Sequence, residues 1–432
     1  MACGGNYGVM AKMSAIFAGK CGRRRGDFGN LQDLTNFVAM KKNLYIFNSE
    51  NDLALAFGEE GYTAPPAARQ LRRDLQMLPA WFCGAGAVIL SQDCDTDSLW
   101  LGEMSRRFGI DAVCMPLNHL QNHRFEYRPW GWNLDLRRRL IGACVPAGQL
   151  PTVEHIMTLR QLSHRSISVK IHDFVRARIG GYPFPECPVE VFSVEAVRAY
   201  ERRHSKCFVK APWSSSGHGV YRVLEPESRN FEIWTQGIIN RQGSLLCEEA
   251  LDVIQDFAME FLCHGGNVEF VGYSVFDNDT HCSFDSGIVA SCEHLRRIIA
   301  TKLGDADLLE RVRQVLMQFV DIEIAPHYDG YLGVDMMLYG DDCGVVRINP
   351  CVELNLRMTM GALTAIFGER FLADGAVGRF RVVQSKQHSV EELMRQHSSA
   401  APAVVVDGRL QSGFMPLVPV YQGSRYCAYI EV

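Results

Sequence analysis

The chain has 432 residues, of which 47% are hydrophobic and 22% are charged, and its formal net charge at pH 7 is −5. This composition predicts a soluble globular protein with two or three domains. The small negative charge argues against a general nucleic-acid binder, and the lack of a long apolar run argues against a membrane protein. The 15 cysteines include no Cys-x-x-Cys pair and no signal peptide precedes them, which predicts reduced thiols in the cytoplasm rather than disulfides or zinc.

The first 40 residues lack a periodic apolar pattern and contain three consecutive arginines at positions 23–25. They are predicted to be a disordered extension, or to precede the natural start of the protein. A transit peptide is the alternative, which the low serine content disfavours. The first buried strand is expected at Leu44–Phe47, shortly after Met40.

Strands and helices alternate over residues 41–160, which predicts a small doubly wound α/β domain. Open sheets of this kind bind ligands at the carboxyl ends of their strands. Arg69 or Arg72, on a following helix, could bind a carboxylate there. The candidate substrate contacts are the polar residues that follow the first strand, Asn48, Glu50, Asn51 and Asp52. The alternative is that these residues only cap a helix and that the arginines form a solvated face.

A loop of small residues follows the short strand 206–210 in the next part of the chain. The strand ends in Lys210, and serines and glycines follow it. Backbone amides in such a loop can approach an anion closely, and the lysine adds a positive charge for phosphate. This is not a Walker P-loop, because the lysine precedes the glycines. An ordinary surface loop is the alternative.

Residues 328–361 are predicted to form two strands joined by a Gly-Asp-Asp-Cys-Gly turn. The second strand ends in Glu353, Asn355 and Arg357, whose spacing of two places them on one face. Two carboxylates and a side-chain oxygen suit Mg²⁺ and phosphate oxygens, and an arginine beside them can stabilise a transferring phosphoryl group. The alternative is a structural salt bridge with a capping asparagine.

The second carboxylate of this set is Asp335, in the first strand of the hairpin. If Tyr339 pairs with Val345 across the turn, strand parity places Asp335 on the face of Glu353. A slip of one residue would reverse the parity, and Pro350 predicts a bulge in the second strand.

The order of these motifs resembles the ATP-grasp superfamily, which includes biotin carboxylase and D-alanine–D-alanine ligase. The resemblance rests on Lys210 with its loop, the pair Glu248-Glu249, Asp335, and the Glu353-x-Asn355-x-Arg357 motif, and it covers about half of the chain. Three features depart from the family pattern. The hairpin is longer than usual, the loop is rich in serine, and Ser163-His164-Arg165 replaces a common Ser-Asp-Lys.

The resemblance implies an α/β (α+β) chain with the ATP-grasp fold, an N-terminal doubly wound α/β domain and a small C-terminal segment. The expected boundaries are 41–160 for the N-terminal domain, 161–375 for the ATP-grasp domain and 376–432 for the C-terminal segment. A lid is expected at about residues 182–247 of the ATP-grasp domain.

The resemblance also implies a role for each candidate residue. Lys210 and Arg357 would be catalytic, and Asp335, Glu353 and Asn355 would bind Mg²⁺, with Mn²⁺ as an alternative. The residues expected to hold ATP are Arg165, Lys210, Ser214, Ser215, Ser216, Gly217, Gly219, Glu248 and Glu249.

Most members of this family activate a carboxylate with ATP, so the implied activity is that of an ATP- and Mg²⁺-dependent carboxylate ligase. An amine or thiol would attack the acyl phosphate, leaving ADP and phosphate. The alternatives are an ATP-dependent small-molecule kinase and a non-catalytic nucleotide-binding module. The presence of all three expected metal ligands and of Arg357 favours an enzyme over a non-catalytic module. The expected partners are ATP, a small carboxylate and a nucleophile, without nucleic acid or membrane, and a homo-oligomer is compatible with the sequence.

Overall fold

The computed structural model describes residues 42–204, 206–214, 219–223, 229–278, 284–385 and 389–432. The described residues belong to one compact unit that begins at Lys42. The prediction of a disordered extension at residues 1–40 concerns a segment outside them. Within the described ranges, no helix is both long and apolar enough to span a membrane.

Four parallel strands form the first sheet, which has the order β3–β2–β1–β4. These strands are β1 (Lys42–Ile46), β2 (Ala87–Ser91), β3 (Ala112–Pro116) and β4 (Phe125–Pro129). The helices that alternate with or follow them are α1 (Asn51–Phe57), α2 (Pro66–Asp74), α3 (Cys94–Phe108) and α4 (Leu134–Gly142). Val88 and Ile89 of β2 belong to different apolar clusters, so both faces of the sheet are covered.

A second, antiparallel sheet of four strands carries the lysine loop, and we call it the lid sheet. It has the order β5–β8–β6–β7. Its strands are β5 (Val189–Val191), β6 (Cys207–Lys210), β7 (Val220–Val223) and β8 (Leu245–Glu249). Two helices, α7 (Val194–Glu201) and α8 (Arg229–Gln242), contribute residues to the same apolar cluster as these strands.

The third sheet has eight strands in the order β13–β12–β9–β10–β11–β14–β18–β17, and we call it the large sheet. Its strands are β9 (Asp252–His264), β10 (Asn267–Asn278), β11 (Phe284–Val289), β12 (Gly330–Gly340), β13 (Val346–Asn355), β14 (Gly378–Gln384), β17 (Phe414–Pro416) and β18 (Tyr426–Glu431). The last three strands come from residues 376–432, so the C-terminal segment is continuous with this sheet. A separate hairpin, β15 (Val404–Val406) and β16 (Arg409–Ser412), turns at Asp407 and Gly408, whose φ angles of 49° and 76° suit a tight two-residue turn.

The remaining helices are α5 (Val153–Leu162), α6 (Ile167–Arg178), α9 (Cys292–Leu303), α10 (Ala306–Phe319), α11 (Met360–Arg370) and α12 (Val390–Ala400). The sequence pattern predicts one helix from Ser163 to Ile179, but α6 begins only at Ile167. The Ser163 hydroxyl donates to the Leu159 carbonyl at the end of α5, and a turn separates the two helices. This turn carries Arg165.

The hairpin of β12 and β13 contains a bulge between two regions of regular pairing. Tyr339 pairs with Arg347 rather than with Val345, and nearer the site Asp335 pairs with Glu353. From Met337 to Asp335 the chain advances two residues in β12, while β13 advances four, from Asn349 to Glu353. The two extra residues lie in β13 between Asn349 and Glu353. This stretch contains Pro350, where the sequence predicts a bulge. Because their number is even, the strand parity is kept.

Candidate functional site

The predicted metal ligands lie together on one face of the hairpin. Asp335 and Glu353 are direct partners across β12 and β13, so their side chains point to the same side of the large sheet. The amide Nδ2 of Asn355 donates to Oδ2 of Asp335 at 2.9 Å. The three side chains therefore present oxygen ligands within one small region.

The electrostatics of the two carboxylates differ. Burial, and then the negative charge of Glu353, raise the pKa of Asp335 to about 7. Burial also acts to raise the pKa of Glu353, but the charges of Arg165, Lys210 and Arg357 outweigh it and lower that pKa below its ordinary value. Glu353 is therefore charged at neutral pH, while burial and the charge of Glu353 favour the protonated form of Asp335.

This donor set fits a hard divalent cation. A bound cation would offset the negative charge of Glu353, which together with burial raises the pKa of Asp335. Oxygen ligands are those that Mg²⁺ and Mn²⁺ prefer. Among the described residues, no group of three His, Cys, Asp or Glu side chains is arranged to hold a metal. The two carboxylates alone are sufficient protein ligands for Mg²⁺ if phosphate oxygens complete its coordination.

Arg165 joins the hairpin to the loop that follows Lys210. Its Nη2 donates to both carboxylate oxygens of Glu353, and its Nη1 donates to the Ala211 carbonyl at 2.6 Å and to the Ser214 hydroxyl at 2.9 Å. The backbone amide of Arg165 also donates to the Pro212 carbonyl. Its Nε is buried and has no hydrogen-bond partner in the described part of the chain. Arg165 thus reaches the site, where it binds Glu353, a predicted metal ligand, and the loop.

Lys210 ends β6, and its side chain is turned inward. It is 6% exposed and its Nζ forms an ion pair with Glu248 of the neighbouring strand β8. The two residues thus connect the expected phosphate-binding and nucleoside-binding parts of the site. Glu249, the next residue, lies at the exposed end of the strand.

Glu248 and Glu249 line a small pocket between the lid sheet and the large sheet. The pocket has a volume of about 30 Å³, and its walls include Phe208 from the lid sheet and Met337 and Asn349 from the large sheet. This volume accommodates one or two water molecules. The pocket in this conformation is therefore too small for a purine base.

Only part of the predicted small-residue loop is described. The Ala211 amide donates to the Gly219 carbonyl at 2.7 Å, which closes the base of the loop. Gly219 has a φ of +85°, and a Cβ atom there would lie 2.8 Å from Cβ of Ser214, so this position requires glycine. Ser215, Ser216 and Gly217 lie outside the described residues.

Arg357 connects the end of the hairpin to helix α1 of the N-terminal region. Its Nε donates to Oδ2 of Asp52 at 2.7 Å, and its Nη2 donates to Oδ1 of Asn355 at 3.0 Å. Burial acts to lower the pKa of Arg357, but the charge of Asp52 outweighs it and raises that pKa. Asp52, a predicted substrate contact, therefore orients the predicted catalytic arginine.

The asparagines after β1 contact residues that follow β4, the neighbouring strand of the parallel sheet. Nδ2 of Asn48 donates to the Gly131 carbonyl, and Oδ1 of Asn51 accepts from Asn133. Glu50 precedes α1, but no side chain caps that helix. The capping alternative is therefore wrong for these residues. Of the two candidate arginines, Arg72 contacts this group and Arg69 does not.

Glu260, a buried carboxylate in β9, is not among the residues proposed from the sequence. It is 1% exposed, and the Thr359 hydroxyl donates to its Oε2 at 2.9 Å. Burial, and then the charge of Asp335, raise its pKa to about 8. A Cβ atom on Gly361 would lie 2.1 Å from Glu260 Oε1, so the carboxylate occupies the space of a side chain there. One sequence feature could have identified Glu260: it is the single charged residue within the apolar run Phe-Ala-Met-Glu-Phe-Leu.

No protein-family model and no curated protein matches the sequence. Among solved structures, biotin carboxylase from Campylobacter jejuni, in a beta-gamma-ATP complex, is 12% identical with a TM-score of 0.50, and 90% of this chain covers 87% of that one. N5-carboxyaminoimidazole synthetase from Staphylococcus aureus, complexed with ADP, is 12% identical with a TM-score of 0.48 (91% and 94% covered). L-amino acid ligase from Bacillus licheniformis is 14% identical with a TM-score of 0.39 (90% and 92% covered).

All three are ATP-grasp enzymes. The similarity to biotin carboxylase extends over both the parallel sheet and the large sheet, because it covers nine-tenths of the chain. The predicted fold class is therefore confirmed: the chain has the ATP-grasp fold with an N-terminal α/β region.

Proposed function

We propose that this chain, which has the ATP-grasp fold, is an ATP-dependent ligase. It would activate a small carboxylate as an acyl phosphate for attack by an amine or thiol, releasing ADP and phosphate. The observation that carries the proposal is the position of Glu353. This carboxylate faces Asp335, binds Arg165 through both oxygens, and lies on the strand face that leads to Arg357.

ATP would lie between the lid sheet and the large sheet. The nucleoside would occupy an enlarged form of the pocket lined by Glu248 and Glu249. Lys210 and the 214–219 loop would hold the phosphates, because a buried ammonium group and closely spaced backbone amides bind anions. Arg165 joins the same loop to Glu353, so it would stabilise the closed loop and interact with phosphate through its remaining donors.

Asp335, Glu353 and Asn355 would hold Mg²⁺, with Mn²⁺ as a second candidate. When bound, the cation would offset negative charge on the phosphate oxygens. The protein's own contribution is to keep these ligands on one face. Arg165 opposite Glu353 keeps that carboxylate charged in the absence of the cation.

Arg357 would act on the reacting groups. A carboxylate oxygen of the substrate attacks the γ-phosphorus atom, and the bond to the leaving ADP breaks. The nucleophile then attacks the acyl carbon, and phosphate leaves. The guanidinium of Arg357 would stabilise the charge on the transferring phosphoryl group and on the acyl phosphate, while Asp52 fixes its orientation.

The experiment that tests this proposal measures phosphate release from ATP with small carboxylic acids and hydroxylamine as a surrogate nucleophile. We expect phosphate release that requires both compounds, together with accumulation of a hydroxamate. Arg357→Ala should suppress the hydroxamate far more than it weakens ATP binding. Arg379→Ala, on β14 and paired with Asp277 away from the site, is the matched control and should behave as the wild type. A stable phosphorylated product without free phosphate would contradict the ligase and indicate a kinase.

A further inference from the structure

Two arginines share a single buried carboxylate at the carboxyl end of the parallel sheet. Glu50, directly after β1, is 3% exposed. Its Oε1 forms an ion pair with Arg72 of α2, and the Nη1 atom of Arg139 in α4 lies 3.5 Å from the same oxygen. The two guanidinium groups thus come from different helices and meet at one carboxylate.

The charges in this region do not balance. A second carboxylate, that of Asp135, binds Arg138, and both residues are charged neighbours of Arg139. With Glu50 and Arg72 included, the region contains two carboxylates and three guanidinium groups. Burial, and then the charge of Arg72, lower the pKa of Arg139, in agreement with an unneutralised positive charge beside it. An anion supplied from outside the protein would remove this excess charge.

Several polar atoms of the same region have no hydrogen-bond partner among the described residues. They are Oε2 of Glu50, Nε of Arg72, Nη1 of Arg139 and the hydroxyl of Tyr62, and all four are buried. Tyr62 packs against Leu53 and Ala54 of α1, the helix that directly follows Glu50. Burial, and then the Glu50 charge, raise the pKa of Tyr62 to about 12. Buried donors and acceptors are normally paired, and an unpaired set at one place is typical of a binding site without its ligand.

The position of this group relates it to the proposed reaction. Glu50 and Asp52 are two residues apart, so their Cα atoms are within about 7.6 Å of each other. Asp52 binds Arg357, and the Met358 amide donates to the Trp130 carbonyl at 2.8 Å, so the two elements are held together here. The carboxylate that binds Arg357 and the carboxylate that binds Arg72 and Arg139 therefore belong to residues only two positions apart.

We propose that Arg72 and Arg139 bind a second anionic group of the acid substrate, and that Oε2 of Glu50 accepts a hydrogen bond from an N–H or O–H group of the same molecule. The inference rests on the proposed function and narrows its substrate class. The substrate is a small acid with two anionic groups, the second being a carboxylate or a phosphate. Paired guanidinium groups recognise either oxyanion by bidentate hydrogen bonds.

The test is isothermal titration calorimetry of the full chain without ATP. One arm uses succinate, glutarate and L-glutamate, a second uses phosphoglycolate and O-phosphoserine, and butyrate is the monoanionic reference. At least one dianion should bind ten or more times more tightly than butyrate, and the arm it belongs to identifies the second group as carboxylate or phosphate. If no dianion binds more tightly than butyrate, the inference is wrong.

Variants at the two arginines test the site itself. Arg72→Gln and Arg139→Gln should each weaken binding of that dianion at least tenfold, while Arg139→Lys, which keeps the charge, should lose less. Arg69→Gln is the matched control, because Arg69 is on the same helix, exposed, and without a side-chain hydrogen bond or ion pair in the described part of the chain. The melting temperature and MgATP affinity of each variant show that it is folded. Unchanged dianion affinity in a folded Arg72→Gln protein would overturn the inference.

The two proposals can fail separately, because this binding measurement needs no turnover. Arginine-dependent binding of a dianion that supports no phosphate release would preserve the site and contradict the ligase. Hydroxamate formation from an acid whose binding does not depend on Arg72 would preserve the ligase and contradict the site.

Discussion

Arg165 and Glu353 are 188 residues apart in the chain, yet Nη2 of Arg165 lies 3.0 Å from each carboxylate oxygen of Glu353. The same guanidinium also donates to Ser214 in the loop beyond Lys210. One side chain therefore connects the turn before α6, the small-residue loop and strand β13, which carries the predicted metal ligands Glu353 and Asn355. These are the three parts that the proposed phosphate site requires.

Removal of Arg165 should destabilise the protein. Arg165→Ala leaves the Glu353 carboxylate without its partner, and breaking a buried ion pair costs about 3–5 kcal/mol. Because the Glu353 side chain is 30% exposed, we expect the free energy of unfolding to fall by about 2–3 kcal/mol, at or slightly below the lower end of that range. Urea denaturation gives the free energy of unfolding. Arg395→Ala, which breaks an exposed pair with Glu392, is the control and should leave it nearly unchanged. An equally small effect of Arg165→Ala would show that the pair is unimportant for stability.

Substitution of Asp335 should change how stability depends on pH. The folded pKa of this carboxyl is raised to about 7, above the value of about 3.9 in an unfolded chain. Between these values the unfolded chain ionises first, so the wild type loses stability as the pH rises from about 4 to about 7. Asp335→Asn removes this loss. Without metal or nucleotide, the variant should exceed the wild type in stability at pH 8 by a margin that shrinks toward pH 4.5.

The measurement is urea denaturation of both proteins at several pH values in the presence of a chelator. Added Mg²⁺ and ATP should stabilise the wild type more than Asp335→Asn, because the cation requires the charged carboxylate. A stability difference that does not vary between pH 4.5 and pH 8 would contradict the electrostatic interpretation of the site.

Gly361 should tolerate no side chain. A Cβ atom there would lie 2.1 Å from Glu260 Oε1 and 2.8 Å from Ser274 Oγ, so Gly361→Ala should cost about 1–3 kcal/mol by overpacking. Gly102→Ala is the control, and its effect on stability should have the opposite sign. Gly102 lies in α3, and no atom is within 4 Å of the added Cβ atom. Alanine is a better helix former than glycine, so this variant should be stabilised by about 0.5–1 kcal/mol. Thermal or urea denaturation compares the two, and a neutral Gly361→Ala would show that Glu260 is free to move.

Nucleotide binding should alter the lid sheet. The pocket beside Glu248 has a volume of only about 30 Å³, so ATP must separate the sheets and then hold the loop through its phosphates. Hydrogen exchange should slow at residues 211–214 and 219–223 when Mg²⁺ and ATP are added. Lys210→Ala should abolish this protection. Equal exchange with and without saturating nucleotide would indicate an ordinary surface loop.

Strand parity explains how much of the site could be predicted from the sequence. Side chains alternate along a strand, so Glu353 and Asn355 of β13 are on one face wherever the strand lies. Arg357 lies two residues beyond the end of β13, so its position depends on the bend that follows and on its hydrogen bonds to Asn355 and Asp52. The register assumed for the turn is wrong, since Tyr339 pairs with Arg347. The bulge near Pro350 adds an even number of residues, and the expected juxtaposition of Asp335 with Glu353 is nevertheless confirmed.

Partners from distant elements could not be predicted in this way. Periodicity shows which residues share a face within one element, but not which element packs against it. The contact of Arg165 with Glu353 and that of Arg357 with Asp52 both depend on the packing of separate elements. The same holds for the C-terminal strands, which join the rest of the large sheet through pairs such as Gly287 of β11 with Phe380 of β14.

The most direct test of the account follows oxygen atoms from the substrate carboxylate. An acid that supports phosphate release is labelled with ¹⁸O in its carboxyl group and turned over with ATP and the nucleophile, and the released phosphate is analysed by mass spectrometry. If an acyl phosphate forms, its carbon–oxygen bond breaks when the nucleophile attacks, so one labelled oxygen atom must appear in each phosphate released. Phosphate without label would show that water, and not the carboxylate, attacks ATP, and this result would contradict the proposed ligase.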